Sequence, residues 1–399
     1  MKNEKSLKTL YRPCPICQAK EGEVLHTQQF LLSDTHLLPS EYDIVYCPHC
    51  GFVFADTPAA QSTYNRFYQE MSKYEDKHTA SGGGDTIYDL HRIEETANTI
   101  ANFINNKEAK ILDIGCGNGG ILFALKQKGF SNIMGFDPSL NCVKTIREKG
   151  IKAVQGNLFE KTLSKQFDFI ILSHVFEHIC DLSTAVDNVH SLLAEKGCVY
   201  IETPNAAQYT DFYIVPYYYF DTEHINHFDT DAHRNLFEKH HFKYIASATK
   251  TMTVAENQEY PAVYSLFEKT NGNNSHFCNT QTLRNSILNY IDLSKNDHPI
   301  TKLQSNIQNQ KPIVIWGAGN YTARILQETN LGEANILFFV DSDSKKWGMH
   351  ILEKEVVSPE ALFKLTDNTF DIVVISALFS SEISKQIKNR GLKNTIICL

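Results

Sequence analysis

Short apolar runs alternate along this chain with segments of helical spacing. Ile87, Leu90, Ile93, Ala97, Ile100 and Ile104 recur every three or four positions, which predicts a helix over 87–106. The next run, Ile111-Leu112-Asp113-Ile114, is interrupted by an acid and followed by Gly115, Gly117 and Gly119 at alternate positions. That pattern predicts a buried strand turning sharply into a helix, with bare backbone where a ligand comes close. The helix runs from Ile121 to Gln127 and stops at Gly129. Further strands are expected at Ile133–Phe136, Lys152–Val154, Phe167–Leu172 and Gly197–Ile201, with closing strands at Phe242–Ile245 and Tyr260–Phe267. Strands alternating with helices predict a doubly wound, mostly parallel α/β sheet.

The strand-glycine pattern returns near the end. Pro312-Ile313-Val314-Ile315-Trp316-Gly317-Ala318-Gly319 leads to a helix over Thr322–Glu328, a strand Leu337–Val340 ending at Asp341, and a strand Asp371–Ser376. A polar break at Asn271–Asn274 and a helix at Leu283–Tyr290 precede it, and short strands are expected early, at Glu23–Gln28 and Tyr42–Tyr46. The expected division is an N-terminal lobe (1–60), an α/β core (61–270), a connecting helix (271–300) and a second α/β unit (301–399).

Length supports that division, since 399 residues are long for one core. A hydrophobic share of 42% is that of a soluble globular protein, and no apolar run is long enough to span a bilayer, so neither a membrane nor a targeting segment is expected. A net charge of -8 disfavours nucleic acid as a partner. Ten cysteines, four of them paired by spacing, fit a reducing compartment, so the expected location is the cytoplasm.

The paired cysteines are Cys14-Pro15-Ile16-Cys17 and Cys47-Pro48-His49-Cys50-Gly51. Each turn brings two sulfurs to one side of a loop, and Gly51 permits a positive backbone angle after the second pair. Four thiolates from two such loops make a closed tetrahedral zinc site, structural and not catalytic. The alternatives are free cysteines or a redox pair.

The glycine turn is followed, 24 positions after Asp113, by Asp137 at the tip of the next strand, where an acid can accept both hydroxyls of a ribose. A dinucleotide favours G-x-G-x-x-G, whereas here an acid precedes the first glycine and would repel a pyrophosphate. A cationic amino-acid cofactor suits it better. The stretch resembles motif I of class I S-adenosylmethionine (SAM) methyltransferases, and Phe136-Asp137 resembles their ribose-binding motif. That resemblance implies a cofactor site at Asp113, Gly115, Gly117, Gly119 and Asp137, with Asn157 and Leu158 near the adenine and Ser173 at the fourth strand's tip.

Two histidine clusters follow: Glu177-His178, just beyond the fourth strand, and Tyr217-Tyr218-Tyr219-Phe220-Asp221-Thr222-Glu223-His224-Ile225-Asn226-His227-Phe228. A carboxylate beside an imidazole within aromatic walls is what a general base needs. Helix capping or a core hydrogen bond would equally account for His178, and His227 has the weaker claim. Gly317-x-Gly319 lacks the third glycine of a dinucleotide turn, since Thr322 stands there, and Asp341 would oppose a diphosphate; a scaffold walling the substrate cleft fits better.

Together these parts resemble the sugar C-methyltransferases that act on nucleotide-linked keto-deoxysugars: a four-cysteine zinc lobe, a class I methyltransferase core and a terminal Rossmann-like domain, in this order. The resemblance implies His224 as the base, assisted by Glu223, with His178 or a hydroxyl stabilising an enolate. In that family a tyrosine precedes the segment; here Asp221 stands there, and Tyr218 or Tyr219 could serve from a shifted position. Tyr74 is the candidate for a further site tyrosine. The expected partner is a nucleotide-linked sugar or a related small molecule, with no oligomeric state implied. The alternatives are O- or N-methylation of a glycan or natural-product intermediate, and a zinc-ribbon binding protein with a regulatory SAM-binding domain.

Overall fold

The computed structural model describes residues 7–32, 36–70, 86–160, 162–163, 166–272, 277–365 and 369–399. Tyr74 lies outside them. The first sheet is antiparallel, in the order β1 (Lys8–Thr9), β2 (Glu21–Gln29), β3 (Glu41–Tyr46) and β4 (Val53–Asp56). Its last position is taken by a two-residue strand from far along the chain, Asn226–His227, which pairs antiparallel with β4. The cysteine pairs sit at tight turns closed by Gln18 N–H to Cys14 O (2.8 Å) and Gly51 N–H to Cys47 O (2.9 Å). Gln18 (φ 66°) and Gly51 (φ 82°) both take the left-handed conformation, four residues after the first cysteine of each turn.

The middle unit adds α1 (Gln61–Glu70), α2 (Ile87–Phe103), β5 (Ile111–Ile114), α3 (Gly120–Gln127), β6 (Ile133–Asp137), α4 (Leu140–Glu148), β7 (Lys152–Gln155), β8 (Phe167–Ser173), α5 (Leu182–Leu192) and β9 (Leu193–Pro204). The Asn226–His227 strand is β10; α6 (Thr230–Lys239), β11 (Phe242–Ala255) and β12 (Gln258–Lys269) follow. The seven-stranded sheet runs β11-β12-β9-β8-β5-β6-β7. β5 through β9 are parallel, and β12 enters antiparallel between β9 and β11. This is a mixed α/β sheet, parallel from β7 to β9 with an antiparallel pair at one edge. β11 runs on to Ala255, well past the expected Ile245, because an edge strand needs no apolar run: beyond Ile245 its residues are mostly polar and partly exposed.

The last unit comprises α7 (Thr282–Asn296), α8 (Gln304–Gln308), β13 (Ile313–Trp316), α9 (Asn320–Glu328), β14 (Ile336–Val340), β15 (His350–Ile351), β16 (Lys354–Val357), α10 (Pro359–Phe363), β17 (Asp371–Val374), α11 (Ser380–Asn389) and β18 (Ile396–Cys398). Its six-stranded sheet, β15-β16-β14-β13-β17-β18, is parallel except for the β15–β16 edge hairpin.

One continuous apolar core joins the lobe to the middle sheet. Ile44 and Phe54 of the lobe, Phe176, Phe228 and Phe237 of the core, and Leu283 and Ile291 of α7 belong to the same buried cluster. The opposite face of the sheet is covered by α2, α3 and α4 around Ile100, Leu122 and Ile146. The final sheet has a core on each of its own faces. It meets the middle unit through polar contacts: Arg324 donates to Pro216 O (2.6 Å) and Phe220 O (3.3 Å), and Lys385 and Ser381 hold Glu256 at the tip of the β11–β12 hairpin.

Candidate active site

A cavity of about 930 Å³ opens at the carboxyl ends of β5, β6 and β8 and continues to the Gly317 turn of the last unit. Its floor is the first glycine turn. Gly115 (φ 68°) donates to Phe136 O at 2.7 Å, and a Cβ there would lie 2.7 Å from Val175 Cγ2, so neither the backbone angle nor the space admits a side chain. Asp137 accepts from Gly117 N–H (2.8 Å) through Oδ2 and from Ser139 N–H (2.9 Å) through Oδ1. The acid at the strand tip therefore holds the turn as well as facing the cavity.

Asp113, Gly115, Gly117, Asp137, Asn157, Leu158 and Ser173 all line the cavity. Gly119 does not: its left-handed backbone (φ 81°) packs where a Cβ would meet Ile146 Cγ1 at 2.8 Å, so it serves the strand-to-helix turn and not the cavity wall. Burial, reinforced by the Asp137 charge, pushes the Asp113 pKa well up. A carboxyl in that position ionises readily only with a cation beside it. A bare glycine floor beside a strand-tip acid fits an adenosyl amino acid.

The second group of residues lies across β8. A 3-10 turn, Phe176–His178, follows that strand and buries Glu177 and His178. The segment carrying His224 folds onto it, with Ile225 N–H bonding Glu177 O at 2.9 Å. One donor atom from each of Glu177, His178 and His224 lies within 4.8 Å of the others, and the two imidazole centroids are 4.9 Å apart. His178 Nδ1 lies 3.0 Å from the Glu223 carbonyl oxygen. A carbonyl only accepts, so Nδ1 carries the proton and neutral His178 keeps its lone pair on Nε2.

Behind them is a buried charge network. His174, in the left-handed region at φ 55°, meets Glu177 (3.0 Å) and Glu202 (3.5 Å). Burial alone would lower the His174 pKa, but the two carboxylates raise it above its ordinary value. Burial likewise pushes Glu177 up, yet the His174 hydrogen bond and the nearby histidine charges hold it below the usual carboxylate value. Glu202 is held low chiefly by Lys250 (3.0 Å) and His174 against its own burial.

Of the residues anticipated from sequence, His178 and His224 line the cavity and Glu223 does not. The Glu223 carboxylate accepts from Tyr68 Oη at 3.2 Å. Tyr68, on α1, packs edge-on against His178 and lines the cavity, as does Tyr218. Tyr219 is fully buried, stacked on Tyr209 at 3.9 Å with its hydroxyl on Phe212 O. Sequence pattern missed Tyr68, His174 and Lys346. Tyr68 sits on the buried side of an amphipathic helix and reads as core; His174 is defined by its backbone angle, which spacing does not encode.

The far wall repeats the near one. Asp341 accepts from Ala318 N–H (2.8 Å) and Asp343 N–H (2.9 Å), as Asp137 does from Gly117 and Ser139, and Lys346 Nζ lies 3.0 Å from Asp341. Among the described lining residues, Arg92 and Lys346 are the only lysine or arginine side chains.

The four cysteine sulfurs also converge, with Cys14–Cys50 at 3.5 Å and Cys17–Cys47 at 3.4 Å, and all four within 4.8 Å of one another. Four thiols crowded at that distance are the donor set of a tetrahedral zinc.

Comparison with known proteins bears on the middle and the end of the chain. Residues 88–247 match the family model described as a methyltransferase domain, and residues 309–398 match that of C2185-like proteins, N-terminal. An uncharacterized methyltransferase of Alkaliphilus oremlandii is 26% identical over 143 residues, 35% of this chain and 66% of that protein. The mitochondrial ubiquinone biosynthesis O-methyltransferase of Bos taurus is 33% identical over 110 residues, 25% of this chain and 30% of that one. The chain thus spans only part of the curated relatives it matches. Among solved structures, magnesium protoporphyrin IX methyltransferase of Synechocystis with bound SAM is 13% identical, with a TM-score of 0.39 over 53% of this chain and 97% of that one. A SAM-dependent methyltransferase of Methanosarcina mazei is 18% identical, with a TM-score of 0.37 over 43% and 97%. The middle of the chain is a class I SAM-dependent methyltransferase domain, the fold of an enzyme.

Proposed function

We propose that the protein methylates a carbon next to a ketone in a nucleotide-linked keto-deoxysugar, with SAM as methyl donor and zinc as a structural ion held by Cys14, Cys17, Cys47 and Cys50. When bound, SAM supplies a methyl group on a sulfonium, which a carbanion can attack. Asp137 is placed to take its ribose, Asp113 to meet its positive charge, and Asn157 and Leu158 to flank its adenine. Two further parts of the proposal are a cytoplasmic location and a Rossmann-like last unit acting as cleft wall.

The observation that carries the acceptor chemistry is the meeting of His178, His224 and Glu177 at the cavity wall. His224 removes the proton α to the ketone. His178 stabilises the enolate oxygen; with Nδ1–H committed to Glu223 O, it donates from Nε2 only as imidazolium, whose charge Glu177 meets. Glu177, beside Glu223, thereby joins the acid side of the site. Tyr68, Tyr218 and Tyr260 wall the cavity and exclude water.

A second reading, O-methylation, is favoured by the name of the ubiquinone-pathway relatives and by a cleft with only two lysine or arginine side chains. Incubation with methyl-labelled SAM and a panel of keto-sugar nucleotides and ubiquinone-biosynthesis intermediates, followed by mass analysis, separates them. The expected result is label on a sugar carbon together with washout of deuterium from that carbon. Label on an oxygen of a ubiquinone-biosynthesis intermediate, with no sugar product, overturns the first reading.

A further inference from the structure

We infer that Arg12, in the cysteine lobe, is a positioning residue of the methyl-transfer site: its guanidinium holds the two loops that carry His178 and His224 at their working separation. The inference rests on the reading that these histidines handle the acceptor's proton. Arg12 is 6% exposed, yet each acceptor of its guanidinium among the described residues is neutral. Nε and Nη2 bond Cys180 O at 3.0 and 2.6 Å, and Nη2 also reaches Ile179 O at 3.1 Å; both carbonyls directly follow His178. Nη1 reaches Ile225 O at 3.2 Å, the carbonyl directly after His224, and Ala55 O at 3.4 Å in β4. Nη2 further bonds Asn226 Oδ1 at 2.8 Å, and Asn226 Nδ2 in turn donates to Phe176 O and Ile179 O, both at 2.7 Å.

The two loops bond each other at Ile225 N–H to Glu177 O (2.9 Å) and at His178 Nδ1 to Glu223 O (3.0 Å), and the Arg12 fork adds further carbonyls from both loops to that contact. Burying a cation is costly, and the arrangement persists because five neutral oxygens converge on one planar fork, with the buried Asp56 carboxylate bonded to the Arg12 backbone N–H at 2.9 Å. A lysine has neither the reach nor the fork to span them. The fork reaches both histidine loops from a lobe none of whose described residues lines the cavity.

The test uses the full chain with 13C-labelled histidine rings, the cross-peaks of His178 and His224 being assigned with His178→Gln and His224→Gln. Arg12→Lys keeps the charge and loses the fork; Asn226→Ala removes the bridge while leaving Arg12 in place, and carries the test if Arg12→Lys does not fold. At one fixed pH, the His178 and His224 cross-peaks are expected to shift in both variants. Those of His190 and His241, which face each other at the far end of α5, should stay, and the affinity for S-adenosylhomocysteine should be unchanged. Superimposable His178 and His224 peaks in the folded variants overturn the inference, as does a general shift of all histidines. Full methyl transfer by His224→Ala, with the variant shifts present, would sink the proton-handling reading and leave the positioning role standing.

Discussion

Replacing Asp137 by alanine removes the acceptor of the Gly117 and Ser139 N–H groups together with the proposed ribose partner. Hydrogen bonds to a charged group contribute about 1.5–3 kcal/mol, so SAM affinity should fall roughly 10- to 100-fold, as calorimetric titration would measure. Gly115→Ala should cost about 1–3 kcal/mol in backbone strain alone, read as a lower denaturation midpoint, before its clash with Val175 is counted. For His224→Ala, methyl transfer should drop about 10²- to 10⁴-fold while SAM binding is kept. The glycines and the strand-tip acid were legible in the sequence because a left-handed turn packed against side chains forces a residue type at a fixed spacing. Glu177 was visible as a neighbour of His178, but its nearness to His224 depends on a loop fold that spacing does not reveal.

At the scale of elements, β10 and α6 set a pH limit. His227 on β10 and His233 on α6 are fully buried, and burial lowers both pKa values to about 3. His233 meets Thr203 and Ser265 hydroxyls at 3.0 and 3.1 Å, which suits the neutral ring. Unfolded histidine titrates near pH 6.5, so below that the unfolded chain binds more protons than the folded one. The stability these rings hold is therefore complete above about pH 6.5 and is lost as pH falls, at up to about 1.4 kcal/mol per pH unit for each. The thermal midpoint should fall between pH 7 and pH 5, and His233→Gln should flatten that fall; an unchanged slope would contradict the assignment. Neither β10 nor the length of β11 was readable from periodicity. A two-residue strand has no period, and an edge strand facing solvent has no need of one.

On the scale of the whole molecule, the lobe and α7 share a single core with one face of the middle sheet. A chain beginning at residue 61 would uncover the core face on which the lobe packs, including Phe228 against Phe52, so it should aggregate more than the full chain, as size-exclusion chromatography would report. The cysteine spacing announced a lobe, but not that the lobe completes another unit's core, because apolar residues carry no label for the partner they bury against.

The second glycine turn has a consequence of its own. Asp341 repeats the grip of Asp137, but its charge is answered by Lys346, supplied five residues along the same chain. The copy is electrically self-sufficient: it carries a resident counter-ion and asks for no ligand to balance it. Two look-alike turns therefore face a single cleft, and the second carries its own lysine against its strand-tip acid.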